Sequence, residues 1–154
     1  MNEPRIYENV IRIPYSWTTG PVIGAFLTAL RDEKKILGAR CRECKKVWVP
    51  PSDVCAPCNA DIEPGDLVPV SDEGVLTGFT RVAHELMWRP ADPPYALVLI
   101  RLTGADTDLL HLVKTPSSLD RLEMGARVRA RWKPERTGLI TDIDEFELTS
   151  EGNP

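Results

Sequence analysis

Two close pairs of cysteines constrain this chain more than any other feature: Cys41-x2-Cys44 and, after ten intervening residues, Cys55-x2-Cys58. A Cys-x2-Cys segment sets two thiolates on one tight turn, and a second such turn completes the four sulfurs of a tetrahedral site. That donor set is expected to hold zinc, with an iron–sulfur cluster or a redox dithiol as the alternatives. Closed coordination leaves no position for water or substrate, so the ion is a fold element and not a Lewis acid. Arg40, Arg42, Lys45 and Lys46 stand close in sequence and can offset the excess negative charge of the thiolates.

The other use of four cysteines, two disulfides, requires an oxidising compartment. Residues 1–15 carry charges throughout and lack the apolar core of a signal peptide. No run reaches the roughly 18 apolar residues of a membrane span. A cytoplasmic setting is therefore expected, and with it metal in preference to disulfides. The formal charge of −4 disfavours general binding to a phosphate backbone.

Three segments follow. Residues 1–35 read as a lead-in and one helix, with Thr19 as cap, Pro21 in the first turn, and Val22, Ile23, Phe26, Leu27 and Leu30 at helical spacing. That stripe packs either on the chain's own core or on a partner, with Phe26 and Leu30 as candidate anchors. Residues 36–65 hold both cysteine pairs, a short apolar run before the first pair and Val47-Trp48-Val49 after it, closed by Pro50-Pro51. A small hairpin between two metal knuckles is expected there, without a helix.

Residues 66–154 turn to strands. The runs 67–70, 75–83, 95–102, 109–114, 126–133 and 143–148 are apolar or alternating and are separated by Gly, Pro, Asp and Ser. A short helix over 117–123, with Leu119 and Leu122 inward, falls between the fourth and fifth runs. A five-stranded antiparallel barrel with a helix at that point is the OB-fold. The predicted class is mainly β: an N-terminal helix, a zinc ribbon and an OB-fold barrel.

Few residues outside the cysteines suggest chemistry. All four cysteines are committed to metal, so no thiol nucleophile remains. His111, inside an apolar run, reads as an ordinary strand histidine; His84, beside Glu85 at a loop mouth, is a candidate ligand or catalytic contact. Strand 126–133 alternates, with Val128, Ala130 and Trp132 on one face and Arg127, Arg129 and Arg131 on the other. Those guanidinium groups either grip phosphates or form a solvated exterior, partly neutralised by Asp142, Asp144, Glu145 and Glu147. Leu86, Met87 and Trp88 lie in a proline-rich loop and either tuck under the barrel or meet a partner.

The segments ILGARCRECKKVWVPPSDVCAPC, GVLTGFTRVAH, PYALVLIRL and MGARVRARW, in that order after a helix, resemble the acyl-CoA-associated family with a rubredoxin-like zinc ribbon and an OB-fold. The likeness spans nearly the whole chain and is most specific at Leu37-Gly38 before Cys41 and Cys44 and at Pro50-Pro51 before Cys55 and Cys58. Residues 13–21 depart from it. The resemblance implies zinc-ligand roles for the four cysteines and an accessory role beside a thiolase-like enzyme, either a lipid-transfer-type thiolase or an aldolase of steroid side-chain degradation, in a hetero-oligomer. The partner would hold the catalytic residues, and a CoA thioester would be the shared ligand. Two other hypotheses stand beside it: a nucleic-acid-binding ribbon and barrel, which needs a basic face with interleaved aromatics, and a stand-alone enzyme built on His84 and Glu85.

Overall fold

The structure is a computed structural model and describes residues 10–84 and 90–149. Helix α1 (Pro21–Glu33) begins where Pro21 supplies a helical φ and lacks only an N–H that the first turn leaves unpaired anyway. The expected cap at Thr19 is not formed. Gly20 takes the cap position at φ 76°, and no side chain bonds the first amides. A backbone of that sign suits glycine and excludes a β-branched residue, so chain direction rather than a hydroxyl sets the start.

The apolar stripe of α1 is spent on the chain itself. Val22 packs with Ala39, Cys41, Cys55 and Ile62 in the ribbon, while Phe26 and Leu30 enter the barrel core. Phe26 is 3% exposed and Leu30 not at all, so neither is a partner anchor in the folded chain. One helix is long enough to wall two small cores, each of which would be poorly buried alone.

The ribbon is a three-stranded sheet in the order β2-β1-β3, built from β1 (Ile36–Arg40), β2 (Val47–Trp48) and β3 (Leu67–Val70). The small hairpin expected between the two knuckles instead closes around the first of them, with Ala39 opposite Trp48 and Arg40 opposite Val47 on either side of Cys41 and Cys44. The first of the six runs, assigned to the barrel from sequence, instead pairs with β1 from Ile36↔Val70 to Ala39↔Leu67. Pro69 makes the reason plain: a residue without an N–H is tolerated at an edge, and β3 is one. A Cβ on Gly38 would lie 2.5 Å from Val47 Cγ1 and 3.0 Å from Val49 Cγ2, so the hairpin closes over glycine only.

The second sheet has the order β6-β5-β4-β7-β8, all antiparallel, formed by β4 (Glu73–Val82), β5 (Tyr95–Leu102), β6 (Asp108–Val113), β7 (Arg127–Trp132) and β8 (Ile143–Leu148). It curls until its end strands face one another. Glu145 of β8 is 1% exposed and accepts hydrogen bonds from the amides of Lys114 and Thr115 and the Thr115 hydroxyl at the end of β6. The His111 ring meets Phe146 edge-on, with centroids 5.4 Å apart. Helix α2 (Pro116–Leu119) lies between β6 and β7 and is shorter than 117–123. Leu119 and Leu122 do point inward, but Gly125 N–H donates to Leu76 O and Leu76 N–H to Ala126 O, which draws the chain into the sheet before another turn can form.

The two sheets are joined by more than α1. Val47 N–H donates to Asp106 Oδ2 at 2.8 Å, Asp106 N–H returns to Val47 O at 2.8 Å, and the Thr107 hydroxyl bonds both polar groups of Val49. The turn after β5 therefore receives the free edge of β2. Among the described residues no helix is long and apolar enough to cross a membrane.

Candidate metal centre

The two knuckles repeat one backbone design. Lys45 N–H donates to Cys41 O and Cys41 N–H to Lys46 O; Asn59 N–H donates to Cys55 O and Cys55 N–H to Ala60 O. Each turn is closed by a left-handed residue, Lys45 at φ 64° and Asn59 at φ 53°. Asparagine adopts that conformation readily, whereas lysine does so only where surrounding structure enforces it. The result brings the ligand atoms of Cys41, Cys44, Cys55 and Cys58 all within 4.8 Å of one another. Cys41 and Cys55 are fully buried, and the second cysteine of each pair lies nearer the surface.

Electrostatics distinguishes the four sulfurs. The Cys41 thiol is drawn down to about 7, first by the backbone N–H of Cys44 and against the effect of burial. Burial pushes Cys55 up. Cys58 is pushed up to about 12, first by the neighbouring Cys44 sulfur and then by burial. Thiols this close resist joint ionisation; a divalent cation among them supplies the charge that makes four thiolates compatible. The donor set, all sulfur and at ribbon spacing, fits a structural zinc. Arg42 does not serve as the expected counter-charge, since it is engaged by Asp66 at 2.6 Å and Glu63 at 2.9 Å.

The arginine face is found as expected, with Arg127, Arg129 and Arg131 outward and Val128 and Ala130 buried. It is not a uniform cationic stripe. Arg129 pairs with Glu73, and Arg131 with Asp144, Glu145 and Glu147. Arg127 has no ion pair among the described residues and borders a groove of about 440 Å³ lined also by Glu73, Gly74, Thr103 and Thr149. Gly74 lets β4 and β5 approach closely: a Cβ there would collide with the Arg101 carbonyl.

His84 is exposed and adjoins residues outside the described ones; Leu86, Met87 and Trp88 lie among these. His111 is buried on the inner face of β6, its Nε2 3.4 Å from Ile140 O, and burial depresses its pKa. One residue that the sequence reading passed over is Arg81. Its guanidinium donates to Leu119 O at 3.0 Å, lies over the Phe79 ring, and borders a mainly apolar cavity of about 220 Å³ with Tyr95 and Leu119. Its only sequence signal was a cation two residues from an aromatic on a strand, which is too common to single it out.

A four-cysteine ribbon sewn by a helix to a curled five-stranded sheet defines the class: a metal-ribbon protein with an OB-fold. Residues 67–133 match the family model of the C-terminal OB-fold domain of ChsH2. A protein of unknown function from the DUF35 family of Sulfolobus solfataricus is 25% identical, with a TM-score of 0.57 over 73% of this chain and 78% of that one. The Ltp2–ChsH2(DUF35) aldolase is 26% identical, with a TM-score of 0.55 over 75% of this chain and 87% of that one. No curated protein sequence matches significantly. Residues 67–133 thus carry an OB-fold of the ChsH2 C-terminal type, and the chain is similar in fold and sequence to DUF35 and ChsH2 proteins.

Proposed function

We propose that the chain is a non-catalytic, zinc-bearing subunit that pairs with a thiolase-like catalytic protein and helps hold its acyl-CoA substrate, in lipid or steroid side-chain metabolism of the cytoplasm. One observation carries this reading: a ChsH2-type OB-fold with its four-sulfur ribbon aligns over 87% of a chain from the Ltp2–ChsH2(DUF35) aldolase. The division of labour is chemical as well, because the cysteines are gathered at one closed site and His111 is buried in the core. We assign residues 1–35, 36–65 and 66–154 to helix, ribbon and OB-fold units. The acid-paired state of Arg129 and Arg131 argues for a protein partner over nucleic acid, which needs unneutralised cations.

Arg127 is the candidate for CoA phosphates, since it borders the groove and, having no ion pair among the described residues, can offer its paired N–H donors to a phosphate. The test is co-expression with a lipid-transfer-type thiolase subunit, followed by light scattering and a carbon–carbon cleavage assay on acyl-CoA substrates. A stable hetero-oligomer that cleaves substrate supports the reading; two monodisperse proteins that ignore one another overturn it. Within the complex, Arg127→Ala should weaken CoA binding with a reduced salt dependence, while assembly is unchanged.

A further inference from the structure

The two knuckles share a backbone but not a surface. In the first, the Glu43 N–H donates to Cys41 Sγ at 3.3 Å, and the Lys45 side chain folds back so that its Nζ donates to Arg42 O at 2.6 Å. The position matching Glu43 in the second knuckle is Pro57, which has no N–H to give, and Asn59 stands in the place of Lys45. Ala56, Pro57 and Asn59 are all exposed. Cys58 lies among them and is itself exposed, whereas Cys44 is half-buried and Cys41 and Cys55 are fully buried. An N–H bonded to a thiolate draws charge from the sulfur, and burial keeps reagents away from it. Both effects leave Cys58 the most open of the four sulfurs to attack from solution.

The buried pair has a different task. Cys41 and Cys55 pack with Val22, Ala39 and Ile62, while farther along the same helix Phe26 and Leu30 enter the barrel core. The metal ligands therefore hold only the start of α1, and the barrel holds the rest. A ribbon too small to keep its core without an ion would release Val22 on losing that ion, and nothing in the barrel has to move.

Resting on the structural-zinc assignment above, we propose that Cys58 is an oxidant-reactive ligand and that the ribbon is a peroxide-sensitive clasp on the N-terminal half of α1. The Cys58 thiolate attacks the outer oxygen of a hydroperoxide. The O–O bond breaks, the sulfur keeps the hydroxyl group as a sulfenic acid, and the alkoxide or hydroxide leaves and takes a proton from water. The Cys44 thiolate then attacks the Cys58 sulfur and displaces hydroxide, which forms a disulfide between the two knuckles. Two thiolates have given two electrons to the peroxide, and the two sulfurs that remain no longer hold zinc. Cys44 is the second reactant because it is the other sulfur near the surface, and all four ligand atoms lie within 4.8 Å of one another.

The experiment treats the zinc-loaded, full-length chain with hydrogen peroxide. A chromogenic chelator follows zinc release, and differential alkylation with mass spectrometry maps the cysteines. Cys58 should react first, faster than Cys41 or Cys55 by about tenfold or more, and the Cys44–Cys58 disulfide should form in step with zinc release. Amide exchange of the oxidised protein should show protection lost around Val22 and in β1, β2 and β3 and kept in β4 to β8; a dithiol reductant with added zinc should restore it. Cys58→His keeps a zinc donor without an oxidisable sulfur and should hold its zinc under the same peroxide. Should that variant bind no zinc, the order of modification in the wild type decides alone. Cys41 or Cys55 reacting first, all four reacting together, zinc retained throughout, or protection lost across the barrel would each overturn the clasp and leave the zinc assignment standing. Protein that carries no zinc as purified overturns both.

Discussion

Cys58 shows how much of a site one residue can decide. Its thiol is pushed up to about 12 by sulfur neighbours and burial, and a cation among the four sulfurs would favour its thiolate. Cys58→Ser should abolish stoichiometric zinc, read by elemental analysis of protein expected to hold one ion per chain, and should unfold the ribbon, since a module this small has too little core without its metal. A zinc-free variant with a folded ribbon would contradict this. Asp142 makes a comparable case without metal. Burial works to raise its pKa, but the amides of Thr137, Gly138 and Leu139 donate to the carboxylate and hold it below the usual value. A depressed carboxylate contributes stability above its unfolded pKa of about 3.9 and loses it as pH falls through the lower folded value. Asp142→Ala should therefore cost about 2–4 kcal/mol at pH 7 and progressively less in acid, as measured by urea unfolding across that range.

At the scale of elements, α1 is the part for which the structure chose between two readings, the chain's own core and a partner. Its periodicity showed that one face is buried, and three of the four buried residues, Val22, Phe26 and Leu30, belong to the stripe, with Ala29 beside them. What covers them was not legible, because hydrophobic spacing reports that a face must leave water and not which surface receives it. Phe26→Ala should accordingly destabilise the chain by about 3–5 kcal/mol in denaturant melts while leaving the partner affinity of the remaining folded protein near wild type. The β3 run is the complementary lesson. Its residues read as a strand and form one, but pairing with β1 rather than with the barrel depends on contacts between residues 28 to 34 positions apart in the chain, which no local pattern encodes.

For the whole molecule, the arrangement of ribbon, helix and curled sheet leaves Ile11, Ile13, Tyr15 and Trp17 of the lead-in exposed and, among the described residues, leaves Arg127 as the one arginine of the three on β7 without an ion pair, at the groove beside Gly74. The isolated chain should show no thiolase, aldolase or hydrolase turnover on acyl-CoA substrates, with activity appearing when the catalytic subunit is added. Robust turnover by the chain alone, lost in His84→Ala, would return the assignment to a stand-alone enzyme. The metal site was readable from sequence because both pairs of ligands are local: two residues between cysteines suffice to define a knuckle, and two knuckles define a tetrahedron. The strand alternation and the inward Leu119 and Leu122 were readable for the same reason, since side-chain direction follows from backbone period. Tertiary structure alone decided that Arg129 and Arg131 are neutralised while Arg127 has no ion pair among the described residues, that Arg42 serves Asp66 and Glu63 instead of the sulfurs, and that Glu145 closes the barrel. Charges meet across strands and loops distant in sequence, so which ones cancel is a property of the assembled surface.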